Sequence, residues 1–174
     1  MKKLPFTLIL FFLFSFAIKA QNVNTEKSVV HFKINNLVFS YVKGTFTDMT
    51  GTVNIDTDHL SNSKIDVCIA AETVETGNDK RDTHLRSQDF FYVENNPNIC
   101  FVSTTFSKSE EGFTTTGKLT MLGVSRDVTI PFSYKNNTFI GTFKINRTDY
   151  HLGENENPFV IGEMVKIEIT CMVN

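Results

Sequence analysis

Residues Asp127–Asn146, D-V-T-I-P-F-S-Y-K-N-N-T-F-I-G-T-F-K-I-N, hold two alternating runs joined by a turn. Val128, Ile130, Phe132 and Tyr134 alternate with Asp127, Thr129, Ser133 and Lys135. Phe139, Gly141, Phe143 and Ile145 oppose Thr142, Lys144 and Asn146. A period of two with one apolar face marks half-buried antiparallel strands. Asn136-Asn137 sits between the runs as a turn signal.

The same pattern extends in both directions. Val30, Phe32 and Ile34 alternate with His31, Lys33 and Asn35, and Val53 and Ile55 with Thr52, Asn54 and Asp56. Ile65, Val67, Ile69 and Ala71 share one face, as do Val165, Ile167, Ile169 and Cys171. Turn signals fall at Asp48–Gly51, Asp58–Ser63, Glu110–Gly112 and Leu122-Gly123. Helical candidates are short, near Asn36–Ser40 and Asp79–Ser87. Without long helices the strand faces must cover one another, as a closed barrel or a two-sheet sandwich. Alternation alone leaves both open. The stretch 21–174 keeps 12 Phe and no Trp, and it lacks the cysteine–tryptophan–cysteine arrangement of immunoglobulin sandwiches. Both details lean toward a barrel, whose interior at eight strands admits one elongated ligand.

The N-terminus reads as a signal peptide over residues 1–20. Lys2 and Lys3 precede the apolar run Leu4–Ile18, and Ala20 offers a small residue for cleavage. The run is shorter than the roughly 20 residues of a spanning helix. The expectation is an exported, periplasmic or secreted, single domain over residues 21–174. Cleavage leaves 14 basic against 19 acidic residues. No basic patch suits nucleic acid, and no polybasic stretch suits an anionic membrane surface. Cys68, Cys100 and Cys171 are odd in number and lack metal-ligand spacing. They read first as small buried hydrophobes. A Cys68–Cys100 bridge is the alternative in an oxidising compartment.

Thr76–Thr104, T-G-N-D-K-R-D-T-H-L-R-S-Q-D-F-F-Y-V-E-N-N-P-N-I-C-F-V-S-T, combines a polar turn, a charged short helix, an aromatic pair and a strand. Asn78 or Asp79 can cap the helix, and Asp82 stands four residues before Arg86, a favourable helical spacing. The stretch resembles the signature of the YceI-like family. The matching positions are Thr76-Gly77-Asn78, Arg81-Asp82, His84-Leu85-Arg86-Ser87, Asp89-Phe90-Phe91, Pro97 and Phe101–Thr104. Gly44-Thr45-Phe46 with Gly51, Gly117–Val124 with Val128 and Pro131, and Arg147–Tyr150 fit further family patterns. The resemblance implies an all-β, eight-stranded antiparallel lipocalin-like barrel with one or two short helices. It also implies a long amphiphile as ligand, such as an isoprenoid, a quinone-like lipid or a fatty amide. A homodimer is compatible with it.

On this reading Phe32, Ile34, Phe46, Val53, Ile55, Ile65, Val67, Ile69, Phe101, Leu119, Phe132, Phe143, Ile145, Val165 and Ile167 line a cavity. Phe39, Leu85, Phe90 and Phe91 stand at its mouth. Each methylene buried there contributes roughly 0.8 kcal/mol before binding costs. The opposing account is a barrel filled by its own side chains, serving as a structural or interaction module. A lipid-modifying enzyme is the other alternative, but neither a G-x-S-x-G nor an H-E-x-x-H motif is present. His84 with Arg81, Asp82 and Arg86 reads chiefly as a device that holds the helix. Arg147 and Asp149 read as a salt link on one strand face. His84 and Arg147 are the candidate headgroup contacts. His31, His59 and His151 stand apart, so no metal or other cofactor is expected.

Overall fold

The computed structural model describes residues 21–37 and 40–174. Its strands are β1 (Gln21–Asn22), β2 (Val29–Asn36), β3 (Ser40–Phe46), β4 (Thr50–Asn54), β5 (Lys64–Ala70), β6 (Asn98–Ser109), β7 (Gly112–Met121), β8 (Val124–Lys135), β9 (Thr138–Asn146) and β10 (Ile161–Met172). They form one antiparallel sheet in the order β1-β4-β5-β6-β7-β8-β9-β10-β2-β3. The α-helix among the described residues, α1 (Asp79–Arg86), lies between β5 and β6.

Ten strands stand where eight were expected, and the difference lies at the seam. β3 and β4 are consecutive in the chain, yet they lie at or next to opposite edges of the sheet. They are two halves of one run, broken at residues 47–49, where Asp48 takes a φ of 54°. β1 is a two-residue addition to β4. Eight long strands therefore curl into a lipocalin-like barrel whose two sides meet along one stretch of chain. The segment after β5 covers the free edge of β3, with Thr45 N donating to Glu75 O (2.9 Å) and Glu75 N to Thr45 O (3.1 Å). At the opposite end Val23 pairs with Val173. These additions blunt the open edges that a sheet otherwise presents to other chains.

Two of the sequence's turn signals become tight hairpins. Leu122 and Gly123 (φ 51° and 73°) join β7 to β8, and Asn136 and Asn137 (φ 50° and 57°) join β8 to β9. Positive φ at both central residues matches the twist of the flanking strands. The expected helix near Asn36–Ser40 is replaced by a hairpin, because Asn36 pairs directly with Ser40 across β2 and β3. Phe39 and the signal-peptide segment lie outside the described residues.

Inward glycines make room for inward phenylalanines. Gly44 faces Phe32 across β3 and β2, and a Cβ on it would stand 2.5 Å from the Phe32 ring. A Cβ on Gly117 would come as close as 2.6 Å to the Phe101 ring. At the end away from α1 the rings fill the barrel. Phe132 stacks on Phe139 (4.5 Å) and Phe113 (5.5 Å), with Phe106 edge-on at 6.2 Å.

Cys68 and Cys100 face each other across β5 and β6 and are disulfide-bonded. This corrects the first reading of all three cysteines as free hydrophobes. Their separation of 32 residues hides the contact, which the strand register creates. Cys171 is free and buried. Denatured, unreduced protein is expected to titrate one thiol, and reduced protein three. Replacing Cys68 and Cys100 together by alanine is expected to lower stability by about 3 kcal/mol in urea unfolding, from loss of a closed loop of this length.

Candidate ligand-binding cavity

The barrel encloses a cavity of about 250 Å³. Phe32, Ile34, Phe46, Val53, Ile65, Val67, Ile69, Phe101, Leu119, Phe143, Ile145, Val165 and Ile167 all line it, as expected from alternation, and Leu85, Phe90 and Phe91 close over it. Two expected wall residues do not. Ile55 lies one position past the end of β4, where the alternation stops, and packs on the core from outside the cavity. Phe132 is spent in the aromatic stack at the filled end. Val30, Ile130, Phe139, Ile169 and Cys171 join the lining from faces that alternation already marked as inward. Met49, Ile99 and Leu152 join it as well. Met49 and Leu152 sit in breaks between strands and Ile99 at the start of one, where the period carries little signal.

Polar side chains on the lining cluster at one end. Asn36 ends β2, Arg81 and His84 belong to α1, and Arg147 follows β9. Topology brings these positions together: β2, β5, β7 and β9 finish at the same end of the barrel, and α1 bridges β5 to β6 there.

Helix α1 has too little apolar surface to hold itself in place, so polar groups clamp it. Asn78 caps its N-terminus by accepting from Arg81 N at 3.0 Å. Arg86 Nε donates to Glu72 O (2.7 Å) and Nη2 to Val74 O (2.6 Å). Arg81 Nε donates to Thr76 Oγ1 (2.7 Å) and Nη2 to Thr76 O (3.0 Å). Buried Asp82 accepts from the Thr76 hydroxyl and from Thr76 N at 3.2 Å. The expected Asp82–Arg86 pair is absent, because each side chain finds the backbone or hydroxyl groups of residues 72–76 first. Past the helix, Phe91 N donates to Leu85 O. The Phe91 ring meets Phe46 edge-on at 5.4 Å, and Phe90 meets His84 edge-on at 4.9 Å. Gly153, at φ 56°, lies against the Phe90 ring, where a Cβ would stand 2.6 Å from it.

Arg147 is only 2 % exposed and has no carboxylate in contact among the described residues. The expected Arg147–Asp149 link on a strand is absent, since residues 147–150 form a 3-10 turn. Instead Nε donates to Gly162 O (2.9 Å), Nη1 to Leu152 O (2.8 Å) and Gly153 O, and Nη2 to Ile161 O (3.1 Å). One guanidinium thus staples the loop before β10 to the barrel. Burial pulls its pKa below the ordinary arginine value, opposed by the charges of Glu163 and Glu156. It stays a cation throughout the working range.

The YceI-like domain family matches residues 21–173. The chain belongs to the YceI-like family. Protein YceI of Salmonella newport is 33% identical over 143 residues, covering 76% of this chain and 75% of that protein. A UPF0312 protein of Yersinia enterocolitica is 35% identical over 105 residues, which span 60% of this chain and 55% of that protein's length. Among solved structures, BcnA of Burkholderia cenocepacia superposes with a TM-score of 0.81 at 22% identity, over 87% of this chain and 99% of that one. The YceI protein of Campylobacter jejuni gives 0.68 at 27%, over 82% and 90%. A polyisoprenoid-binding domain from Saccharophagus degradans, implicated in plant cell wall breakdown, gives 0.65 at 15%, over 89% and 98%. BcnA and the Saccharophagus domain establish a shared fold.

For Asp82, burial pushes the carboxyl pKa up, but the Thr76 hydroxyl and N–H outweigh it and hold it below 3.8. A depressed folded pKa contributes stability above about pH 4 that is lost as pH falls through the folded value. Asp82→Asn in this YceI-like chain is expected to lower Tm at neutral pH and to flatten its decline below about pH 4, read by thermal melts across pH. Arg147→Met removes four hydrogen bonds to carbonyls, of which Gly153 O keeps a second donor in Glu156 N, and is expected to cost about 3 kcal/mol in urea unfolding. Arg147→Lys is expected to recover little of it, because an ammonium cannot span the same fork.

Proposed function

We propose that this protein sequesters or carries a long-chain amphiphile, with its chain in the barrel and its head at the α1 end. The observation that carries this reading is the lining itself: aliphatic and phenyl groups along the wall, with Asn36, Arg81, His84 and Arg147 gathered at one end. An isoprenoid, a quinone-like lipid or a fatty amide fits that division. The name of the Saccharophagus neighbour, a polyisoprenoid-binding domain, favours the first class. The mechanism is exclusion of water from the chain, at roughly 25 cal/mol per Å² of apolar area buried. His84 is half exposed and meets the headgroup directly. Arg147 has four of its five N–H groups engaged, so it contributes chiefly positive potential at the mouth.

Bond-making chemistry has little support in the lining. Two of its cations are committed to backbone or hydroxyl partners, and burial raises the Cys171 thiol to about 11, far from a reactive thiolate. A binding role follows more directly from these groups than a catalytic one. The Cys68–Cys100 bond supports export to an oxidising compartment such as the periplasm, with residues 1–20 removed as a signal peptide. N-terminal sequencing of exported protein is expected to begin at Gln21.

Native mass spectrometry of protein purified without detergent, with solvent extraction, tests the carrier reading. A stoichiometric long-chain adduct is the expected result. A clean apo mass that persists after incubation with polyprenyl and fatty lipids would return the barrel to a structural role. Phe91→Ala removes one ring of the plug and is expected to speed ligand release several-fold with the barrel still folded, read by transfer of a fluorescent lipid to acceptor vesicles.

A further inference from the structure

The outer face of the barrel carries an arrangement that no linear stretch of sequence reveals. Lys43 on β3 faces Lys33 on β2, Lys33 faces Lys166 on β10, and Lys166 faces Lys144 on β9. Four lysines thus form one row across four neighbouring strands, on a chain whose net charge is negative. Strand spacing puts them over a span of roughly 14 Å. Like charges directly opposite one another destabilise a sheet, and here this occurs three times in succession. Glu168, in contact with Lys166, is the carboxylate that ion-pairs with the row among the described residues. The Lys33 ammonium also lies 3.6 Å over the Tyr41 ring.

Three of these strands, β2, β3 and β10, and the segments that flank them carry exposed apolar side chains toward the cavity mouth. Leu37 and Tyr41 flank the β2–β3 turn, Phe159 and Val160 precede β10, and Met164 is near its start. Phe159 is 80 % exposed. Leu37 N donates to Val160 O at 2.8 Å, which ties the two tips together. Tyr41 and Met164 each lie two residues beyond the lysine row and Leu37 four, a depth of about 7 to 13 Å at the rise of a strand. That compares with the roughly 5–10 Å to which an interfacial apolar face enters a bilayer. Glu154, Glu156 and Glu163 are the carboxylates of this loop and strand start, and the charges of Glu156 and Glu163 act on buried Arg147.

We infer that this end of the barrel docks on an anionic lipid surface, with the apolar tip in the interface and the lysine row at the headgroup phosphates. The row supplies the charge complementarity, and the unpaired repulsion within it is relieved by anions from outside the protein. Docking so oriented sets the cavity mouth against the bilayer, where an amphiphile can pass without crossing water.

Co-sedimentation of the mature protein with phosphatidylcholine vesicles, with and without phosphatidylglycerol, tests this. Binding is expected only to the anionic vesicles and to weaken with added salt. The combined substitution Lys33→Gln, Lys43→Gln, Lys144→Gln and Lys166→Gln is expected to reduce affinity by about tenfold or more, with Tm unchanged or raised. Phe159→Asp is expected to reduce it as well, whereas Lys108→Gln with Lys135→Gln, at the filled end, leaves it intact. Equal or absent binding to both vesicle types, or no response to the row substitution, overturns the inference. So does a dimer whose formation alone buries Phe159, which would assign the patch to a second copy of the chain. Sedimentation reads docking whether or not lipid enters the cavity, so its failure is distinguishable from failure of the carrier reading.

Discussion

A strand with one apolar face needs something to cover it, and this chain supplies almost nothing but more strands. The eight-residue helix α1, the one α-helix among the described residues, is polar on most of its surface. The sheet must therefore bury its apolar face against itself. Closure does this, and the break at residues 47–49 makes closure possible with strands of ordinary length. One run of chain serves both sides of the seam, first as the partner of β2 and then as the partner of β5. The hairpins, the β1 addition and the Thr45–Glu75 bridge all follow from the same need to leave few backbone groups on an open edge.

Closure alone does not determine whether the interior is full or empty. The distribution of large and absent side chains does. Where Phe106, Phe113, Phe132 and Phe139 meet, ring packs on ring, and of the four Phe139 alone reaches the cavity wall. Nearer α1, Phe32 and Phe101 lie over glycines, so rings fold back along the wall and leave the axis open. The apolar space is thereby pushed toward the end where the chain enters and leaves α1.

At that end, polar chemistry does the work that apolar packing does elsewhere. Asp82, Arg81 and Arg86 hold the helix through the backbone and hydroxyl groups of residues 72–76, and Arg147 ties the loop before β10 to the first residues of that strand through four carbonyls. A buried polar group left unpaired costs about 1–3 kcal/mol, so each of these side chains enforces one local geometry. Tyr150 is the exception. Its hydroxyl is buried without a protein partner among the described residues, and burial raises its pKa to about 12.

The strands, their inward faces and most of the cavity wall were legible in the sequence, because a period of two directly reports which side of a sheet meets water. The helix start at Asn78 and the turns at Leu122-Gly123 and Asn136-Asn137 were legible for a related reason: they depend on neighbours within three or four residues. Contacts that join distant segments carried no such signal. The Cys68–Cys100 bond, the four carbonyls on Arg147, the displacement of Phe132 into the aromatic stack and the alignment of Lys33, Lys43, Lys144 and Lys166 all depend on strand register. Register is a property of pairs of segments. It therefore exists only once those segments have paired.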